Sequence, residues 1–444
     1  MRNLKITCAL LWGAALLPAA GPDAKSGPTY VKDIAPLLNS RCVGCHRPGE
    51  IGPMPLRDYR EVRPWAKAIG EAVLERRMPP WHADPQYGKF ANERRLTDAE
   101  IRTLSQWAAG GAPEGNPKEA AAAPSFSEGW TIGKPDVEIV MPRPFDVPPQ
   151  GVVDYQYMTT PTNFTEDRWV SAVEVRPGNR AVVHHVIAFI LPPEGQTAAQ
   201  PGRERERFGT MCEQARPDAE TLKRFAERAR AGREPRQIGV HLVGWAPGLQ
   251  GATYPAGSAK LIPAGARILF QLHYTPNGKA EVDSQSRVGL IFAKVPVTKT
   301  VHTIGISNMR IAIPPGDPNY EVASCYTFAR DVTLIGFMPH MHLRGKDFLY
   351  RASYPDGRAA TLLSVPKYNF NWQTWYELAD KLPLPAGSRL DCTAHFDNSP
   401  NNKYNPDPTQ EVRWGDQTWE EMMIGWISFM ADRPPALPVT SSAN

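Results

Sequence analysis

The chain has 444 residues, 42% hydrophobic and 22% charged, with a formal net charge of +4 at pH 7. That length is too great for one ordinary hydrophobic core and predicts about two to four domains. The mild charge includes no basic block, which argues against nucleic acid as a partner, and 45 prolines work against long helices while favouring short strands and turns.

Residues 1–20 read as a signal peptide. Arg2 and Lys5 give a positive start, Ile6–Leu17 is apolar, and Pro18-Ala19-Ala20 offers a small-residue cleavage site. The apolar run is too short to span a bilayer, and no later run reaches about 18 residues. No transmembrane segment is therefore expected after signal removal, and the expected location is periplasmic or secreted. The competing reading is an uncleaved N-terminal anchor. Of the six cysteines, Cys8 leaves with the signal and Cys42 and Cys45 belong to one motif. An oxidising compartment permits a disulfide among Cys212, Cys325 and Cys392, with the pairing left open.

Residues 28–115 read as helical. Asp33, Ile34, Leu37 and Leu38 start one amphipathic segment, and Trp65, Ile69, Ala72 and Val73 line one face of a second. A third opens on the capping box Thr97-Asp98-Ala99-Glu100, turns Ile101, Leu104 and Trp107 inward, and stops at Gly110-Gly111. A linker is expected over 116–126. Beyond it the texture becomes short β-rich runs, among them Val137–Met141, Trp169–Val173, Ala181–Ile190, Arg267–Tyr274, Val288–Phe292, Val332–Phe337 and Met423–Phe429. Their density predicts antiparallel sandwiches, one over 127–299 and one over 300–432, followed by a tail at 433–444. Arg203–Arg236 interrupts the first with a charged helical excursion.

Cys42-Val43-Gly44-Cys45-His46 follows the first helical segment. Two thiols add to haem vinyl groups and the adjacent imidazole ligates the iron, so this spacing predicts one covalently attached haem c. The competing reading, a redox CxxC, needs a strand-to-helix junction that the surrounding pattern lacks. Met78, held between Arg77 and Pro79-Pro80, is the expected second axial ligand. Met54 and His82 are the alternatives.

Two histidine groups lie in the β-like runs. In His340-Met341-His342 the two imidazoles project to one face of a strand while Met341 points away. One more donor would complete a three-coordinate site, and the thioether of Met422 would favour Cu(I). His184-His185 with His273 forms a second group. Adjacent strand residues normally face opposite ways, so this group requires a bulge or twist. The competing readings are a satisfied surface pair for the first group, and one buried and one exposed histidine for the second.

The ordered set His184-His185, Gln271-x-His273-Tyr274, His340-x-His342 and Glu421-Met422 resembles the copper type II, ascorbate-dependent monooxygenases, which include peptidylglycine α-hydroxylating and dopamine β-monooxygenases. The likeness covers about residues 127–432. It implies two copper ions, one electron-transferring on His184, His185 and His273, and one on His340, His342 and Met422 where O2 is activated. It also implies two β-sandwiches facing each other across a cleft. The N-terminal part resembles the cytochrome c modules fused to bacterial relatives. The expected fold class is thus a small all-α cytochrome c domain followed by two all-β antiparallel, jelly-roll-like sandwiches. Three places depart from the peptide-amidating pattern. Met338, Ile424 and Trp426 stand where that pattern has an arginine, an asparagine and a tyrosine that hold a substrate carboxylate, so a C-terminal-glycine peptide is not expected as substrate. Met423 stands where animal members carry a cysteine. His241 is read as a packed residue or a neighbour of the copper ligands, while His302 and His395 receive no metal role.

The expected activity is hydroxylation of a C–H bond of an unidentified small organic molecule by O2, with electrons passing through the fused haem from a periplasmic or quinol-linked donor. The alternatives are a non-catalytic haem and copper electron-transfer or copper-binding protein, and a haem-based sensor whose β part binds a ligand without copper.

Overall fold

A computed structural model describes residues 27–48, 50, 52–120, 129–194, 208–230, 239–246 and 248–433. The signal peptide expected at 1–20, the second half of the linker and nearly all of the tail fall outside the described residues. Within them the chain is mostly β-sheet, with 37% strand and 16% helix.

The expected fold class is corrected by this architecture: the helices are few and short, and no small all-α cytochrome c domain is evident. Helices Ala35–Arg41, Tyr59–Val62, Ala66–Leu74 and Asp98–Ala109 are short, with long connections before Tyr59 and before Asp98. The prolines at 48, 53, 55, 79 and 80 explain the interruptions, because each removes an amide donor and fixes its own φ. Local readings within the segment hold. Thr97 Oγ1 accepts from the Glu100 amide at 3.2 Å, and the Thr97 amide donates to Glu100 Oε2 at 2.6 Å. Ile34, Leu38, Leu104 and Trp107 are buried together, whereas Trp65, expected inward, is exposed. The segment also fails to close on itself. Trp81, Ala83 and Phe90 leave it to join a β core, where Trp81 and Phe90 pack edge-on against Tyr376. Backbone bonds fasten this strap, with the Asp84 amide on the Ser364 carbonyl at 2.8 Å and the Ala91 amide on the Glu377 carbonyl at 2.8 Å.

The β part has two cores, one over each half, that share one sheet. One nine-stranded sheet runs through both halves. Strand Ser258–Ile262 of the first half pairs in parallel with Lys299–Ser307 of the second, through Ser258↔Lys299 and Ala259↔Thr300. A four-stranded sheet containing Val183–Leu191, Val240–Trp245 and Arg267–Tyr274 covers one end of it around a core that includes Val170, Val186, Phe270 and Val288. A five-stranded sheet containing Tyr320–Phe328 and Arg389–Phe396 covers the other around Leu334, Phe337, Tyr350 and Ile427. A parallel pairing at the junction lets the two halves share an edge that separate sandwiches would each have to protect.

Part of the charged excursion becomes helix Ala219–Arg230. Just before it, strand Gly209–Met211 pairs with Tyr320–Phe328, and Cys212 is joined to Cys325 by a disulfide spanning 113 residues of sequence. Cys392 is a buried free thiol. No described helix is long and apolar enough to cross a membrane. The disulfide is compatible with an extracellular or periplasmic location.

Because the bridge closes a long loop, the Cys212→Ser/Cys325→Ser double variant should lose about 2–5 kcal/mol of stability. Cys392→Ser in the same background should leave no further sensitivity to reductant. Denaturant unfolding with and without dithiothreitol measures both.

Candidate metal centre

Strand Val183–Leu191 pairs with Arg267–Tyr274 in regular antiparallel register as far as His185↔His273, and the next pair is Val183↔Tyr274. His184 is the extra residue of a bulge, which turns its side chain toward that of His185. Potential ligand atoms of His184, His185 and His273 all lie within 4.8 Å of one another. His184 Nδ1 and His185 Nδ1 face each other at 3.1 Å, and His273 Nδ1 is buried without a hydrogen-bond partner. The Tyr155 ring stacks on His273 at 4.7 Å, and the Phe370 ring on His184 at 5.0 Å.

The second pair ends strand Val332–His340. Met341 is fully buried in the core while the His340 and His342 rings meet at 5.2 Å on the other side. His340 Nδ1 lies 2.7 Å from Gln373 Oε1, and His342 Nδ1 lies 3.1 Å from the Glu420 carbonyl. Both partners are oxygens that only accept, so each Nδ1 carries the proton and each Nε2 keeps its lone pair. His342 Nε2 is buried with no hydrogen-bond partner among the described residues.

Burial holds all five imidazoles below the ordinary histidine value. His273 is pulled down to about 3 and His340 to about 4. Burial and then the neighbouring imidazoles hold His185 and His342 well below it, and burial lowers His184 as well. Neutral imidazole is the form that binds a metal. Both groups therefore present lone pairs at neutral pH.

Met422 lies on the strip that precedes strand Ile424–Asp432. The pairing of the two strands ends at His340↔Ile424, so Met422 and His342 each lie two residues beyond the last pair. Met423 is fully buried in the core, and Met422, half-buried, packs against the edge of that core. Glu421 fixes this strip to the histidine strand. Its fully buried carboxylate accepts the His342 amide at 2.8 Å and the Arg344 amide at 2.7 Å. Burial pushes this carboxyl up to about 8 against those two amides.

The two histidine groups meet at one side chain. Phe370, stacked on His184, also touches His342 edge-on at 5.9 Å. The halves are joined around them by Tyr157, whose hydroxyl donates to Asp416 Oδ2 at 2.7 Å and accepts from Gln271 Nε2 at 3.1 Å. Beside this seam His241 packs against Trp426 at 5.1 Å, and neither of its ring nitrogens has a hydrogen-bond partner among the described residues. His302 is a packed residue, with its ring against Phe208 and Phe429, and His395 pairs with Asp347 at 2.7 Å.

In the helical segment, Cys42, Cys45 and His46 share the turn after helix Ala35–Arg41, and both cysteines are free. Burial pushes the Cys42 thiol up to about 12 and raises that of Cys45. His46 Nδ1 lies 3.1 Å from the Met54 carbonyl, which again leaves Nε2 as the free ligand atom. The 52–54 loop reaches His46 only because Gly52 has no Cβ, which would sit 2.7 Å from the imidazole Nδ1. Met78 is half-buried in the turn after helix Ala66–Leu74, and half-buried His82 follows it. Cys45 lines a small cavity with Arg180 and Trp245, and Trp245 is paired with Val186, next to His185.

Sequence reasoning named the three histidines that the fold gathers, His184, His185 and His273, but missed Tyr155, Phe370, Gln373 and the anchoring role of Glu421. The last was visible only as a neighbour of Met422. The others lie on loops with no period or motif.

No protein-family model matches the chain, and no curated protein matches it. Among solved structures, xanthan lyase of Paenibacillus is 9% identical with a TM-score of 0.16, over 71% of this chain and 28% of that one. The infectious bursal disease virus Gt strain structure is 9% identical with a TM-score of 0.18, over 69% and 73%. The mavirus major capsid protein is 8% identical with a TM-score of 0.18, over 71% and 90%. The chain thus spans little more than a quarter of the lyase, and likeness at these scores supports no conclusion.

Glu421→Ala should leave two buried amides without acceptors and lower stability by at least about 2 kcal/mol, since each orphaned donor costs about 1–3 kcal/mol. Glu421→Gln, which keeps one carbonyl oxygen, should lose less. Urea unfolding of the two variants against the parent checks the order.

Proposed function

We propose that this chain is a copper-dependent monooxygenase that hydroxylates a C–H bond of a small organic substrate with O2, taking electrons through a haem attached at Cys42 and Cys45. The observation that carries the reading is the pair of buried, neutral imidazole groups joined by Phe370, with a thioether position in only one of them.

The donor atoms fit copper. His273 Nδ1 and His342 Nε2 are buried without partners, a costly state that a cation relieves. His184, His185 and His273 would hold one ion as an all-nitrogen set, suited to shuttling an electron. His340, His342 and Met422 would hold the other, with the soft sulfur favouring the Cu(I) form. Bound copper supplies the redox chemistry that activates O2, and a bound haem a one-electron store. The chain's own part is orientation and exclusion of water. Gln373 and the Glu420 carbonyl fix the tautomers of His340 and His342, Tyr155 and Phe370 clamp His273 and His184, and Glu421 holds the methionine strip in place. His46 would be the haem's proximal ligand, aimed by the Met54 carbonyl. Met78, half-buried in the turn after helix Ala66–Leu74, would be the thioether that joins His46 in holding the haem.

Met338 and Trp426 face each other across two strands, with Ile424 beside them. These side chains offer no cation, which supports a substrate without a carboxylate at that place. A non-catalytic electron-transfer protein is favoured by one observation, the deep burial of His340 and His342 at 6% and 1% exposure. Oxygen uptake matched by a hydroxylated product separates the two readings.

Protein matured with cytochrome c assembly should carry one haem and two copper ions per chain, measured by pyridine haemochrome and elemental analysis. Copper near one per chain at saturation would remove the two-site model. Met422→His should keep its copper and its haem-to-copper electron step while losing product formation, whereas His273→Ala should slow that step; stopped-flow oxidation of reduced haem reads both. Gln373→Leu should weaken copper at the second site by roughly 10–100-fold, as loss of an outer hydrogen bond to a ligating histidine does. Chelator competition measures this.

A further inference from the structure

Helix Ala219–Arg230 has an inward stripe of unusual composition. Thr221, Arg224, Phe225 and Arg228 recur at the i, i+3, i+4, i+7 spacing of one helix face and are buried or half-buried, while Leu222, Lys223, Ala226, Glu227 and Arg230 are exposed. An inward arginine requires an anion or a set of acceptors. Arg228 has one in Glu420, which it grips with both terminal nitrogens, one of them at 3.1 Å. Among the described residues Arg224 donates only to the hydroxyl of Thr221, at the 3.5 Å limit of a hydrogen bond; its charge also reaches the Asp218 carboxylate, and its Nε is buried with no hydrogen-bond partner.

What Arg224 faces is a cavity of about 820 Å³ between this helix and the segment that carries Trp414 and Trp419. That volume is in the range of small-molecule sites. Phe225, Trp414 and Trp419 give it flat apolar walls, and the other lining arginines are occupied. Arg344 binds Asn398 Oδ1 at 2.8 Å and the Trp419 carbonyl at 2.9 Å, and Arg413 pairs with Glu411 at 2.5 Å. Glu227, an exposed carboxylate on the helix's outer side, also borders the cavity but makes no ion pair with Arg224.

We propose that this cavity is a binding site for an organic anion with a flat apolar body, such as an aromatic carboxylate, whose charge pairs with Arg224 while its ring lies against Trp414 and Trp419. The site is separate from the histidine groups. It lies on the outer side of the strip whose Glu420 carbonyl bonds His342, and its occupancy depends on neither metal.

The test is a titration of the full-length protein with 1-naphthoate, followed by isothermal calorimetry, beside the neutral control 1-naphthalenemethanol. Expected is saturable binding of one naphthoate per chain, at least roughly tenfold tighter than the alcohol, as a charge-assisted hydrogen bond provides. Arg224→Gln should remove that preference and Arg224→Lys should retain most of it. Trp419→Ala should weaken both ligands. Equal binding of acid and alcohol, no saturable binding, or a naphthoate affinity unchanged in Arg224→Gln would each overturn the proposal. A change in the circular dichroism of Arg224→Gln would disqualify that variant, leaving Arg224→Lys and Trp419→Ala to decide. Copper content measured on the same samples keeps the two proposals apart, since naphthoate binding by copper-free protein supports this site whatever becomes of the monooxygenase reading.

Discussion

A single inserted residue in one strand governs the metal centre. In a regular strand, side chains alternate between faces, so His184 and His185 would be separated by the thickness of the sheet. The bulge between the pairs His185↔His273 and Val183↔Tyr274 cancels that alternation once and brings both imidazoles to His273. The strand resumes its alternation afterwards, with Val186, Ala188 and Ile190 toward one core and Ile187, Phe189 and Leu191 toward the other side. The local defect thus serves the site without disturbing the packing of the rest of the sheet.

The second group has no bulge at the histidines themselves; the irregularity of their strand lies earlier, between Leu334 and Gly336. His340 ends its strand and His342 lies two residues beyond it, and the precision comes from what surrounds them: an amide oxygen, a backbone carbonyl and a buried carboxylate on the strip opposite. The two groups are then held by contacts that cross between the halves. Tyr157 reaches Asp416, Phe370 lies against both groups, and buried Lys260 donates to the His241 and Leu242 carbonyls and to Thr303 Oγ1.

Legibility in the sequence followed the range of the interactions. The capping box at Thr97, the inward positions of Leu104 and Trp107, and the strands bearing the histidines are set by neighbours within a few residues, and they read correctly. The need for a bulge at His184-His185 was legible from strand geometry alone. The strand pairing that links the two halves was not. The joining of Ser258 and Ala259 to Lys299 and Thr300 is a pairing of strands about forty residues apart, and neither strand bears any mark of its partner. The helical pattern of residues 28–115 was read as a closed unit because nothing in Trp81–Phe90 announces that its aromatic residues belong to Tyr376. Gln373 and Phe370 lie in a loop whose value depends wholly on where it is carried.

The shared sheet has a thermodynamic meaning. Two sandwiches on a flexible link would each have their own melting point. Here the parallel pairing at residues 258–259 and 299–300, strand Gly209–Met211 on Tyr320–Phe328, and the Trp81–Phe90 strap each place part of one region inside the hydrogen bonding or core of another. Loss of either half exposes buried apolar surface and orphaned backbone groups in its neighbour. The shared pairings therefore couple the unfolding of one half to that of the other.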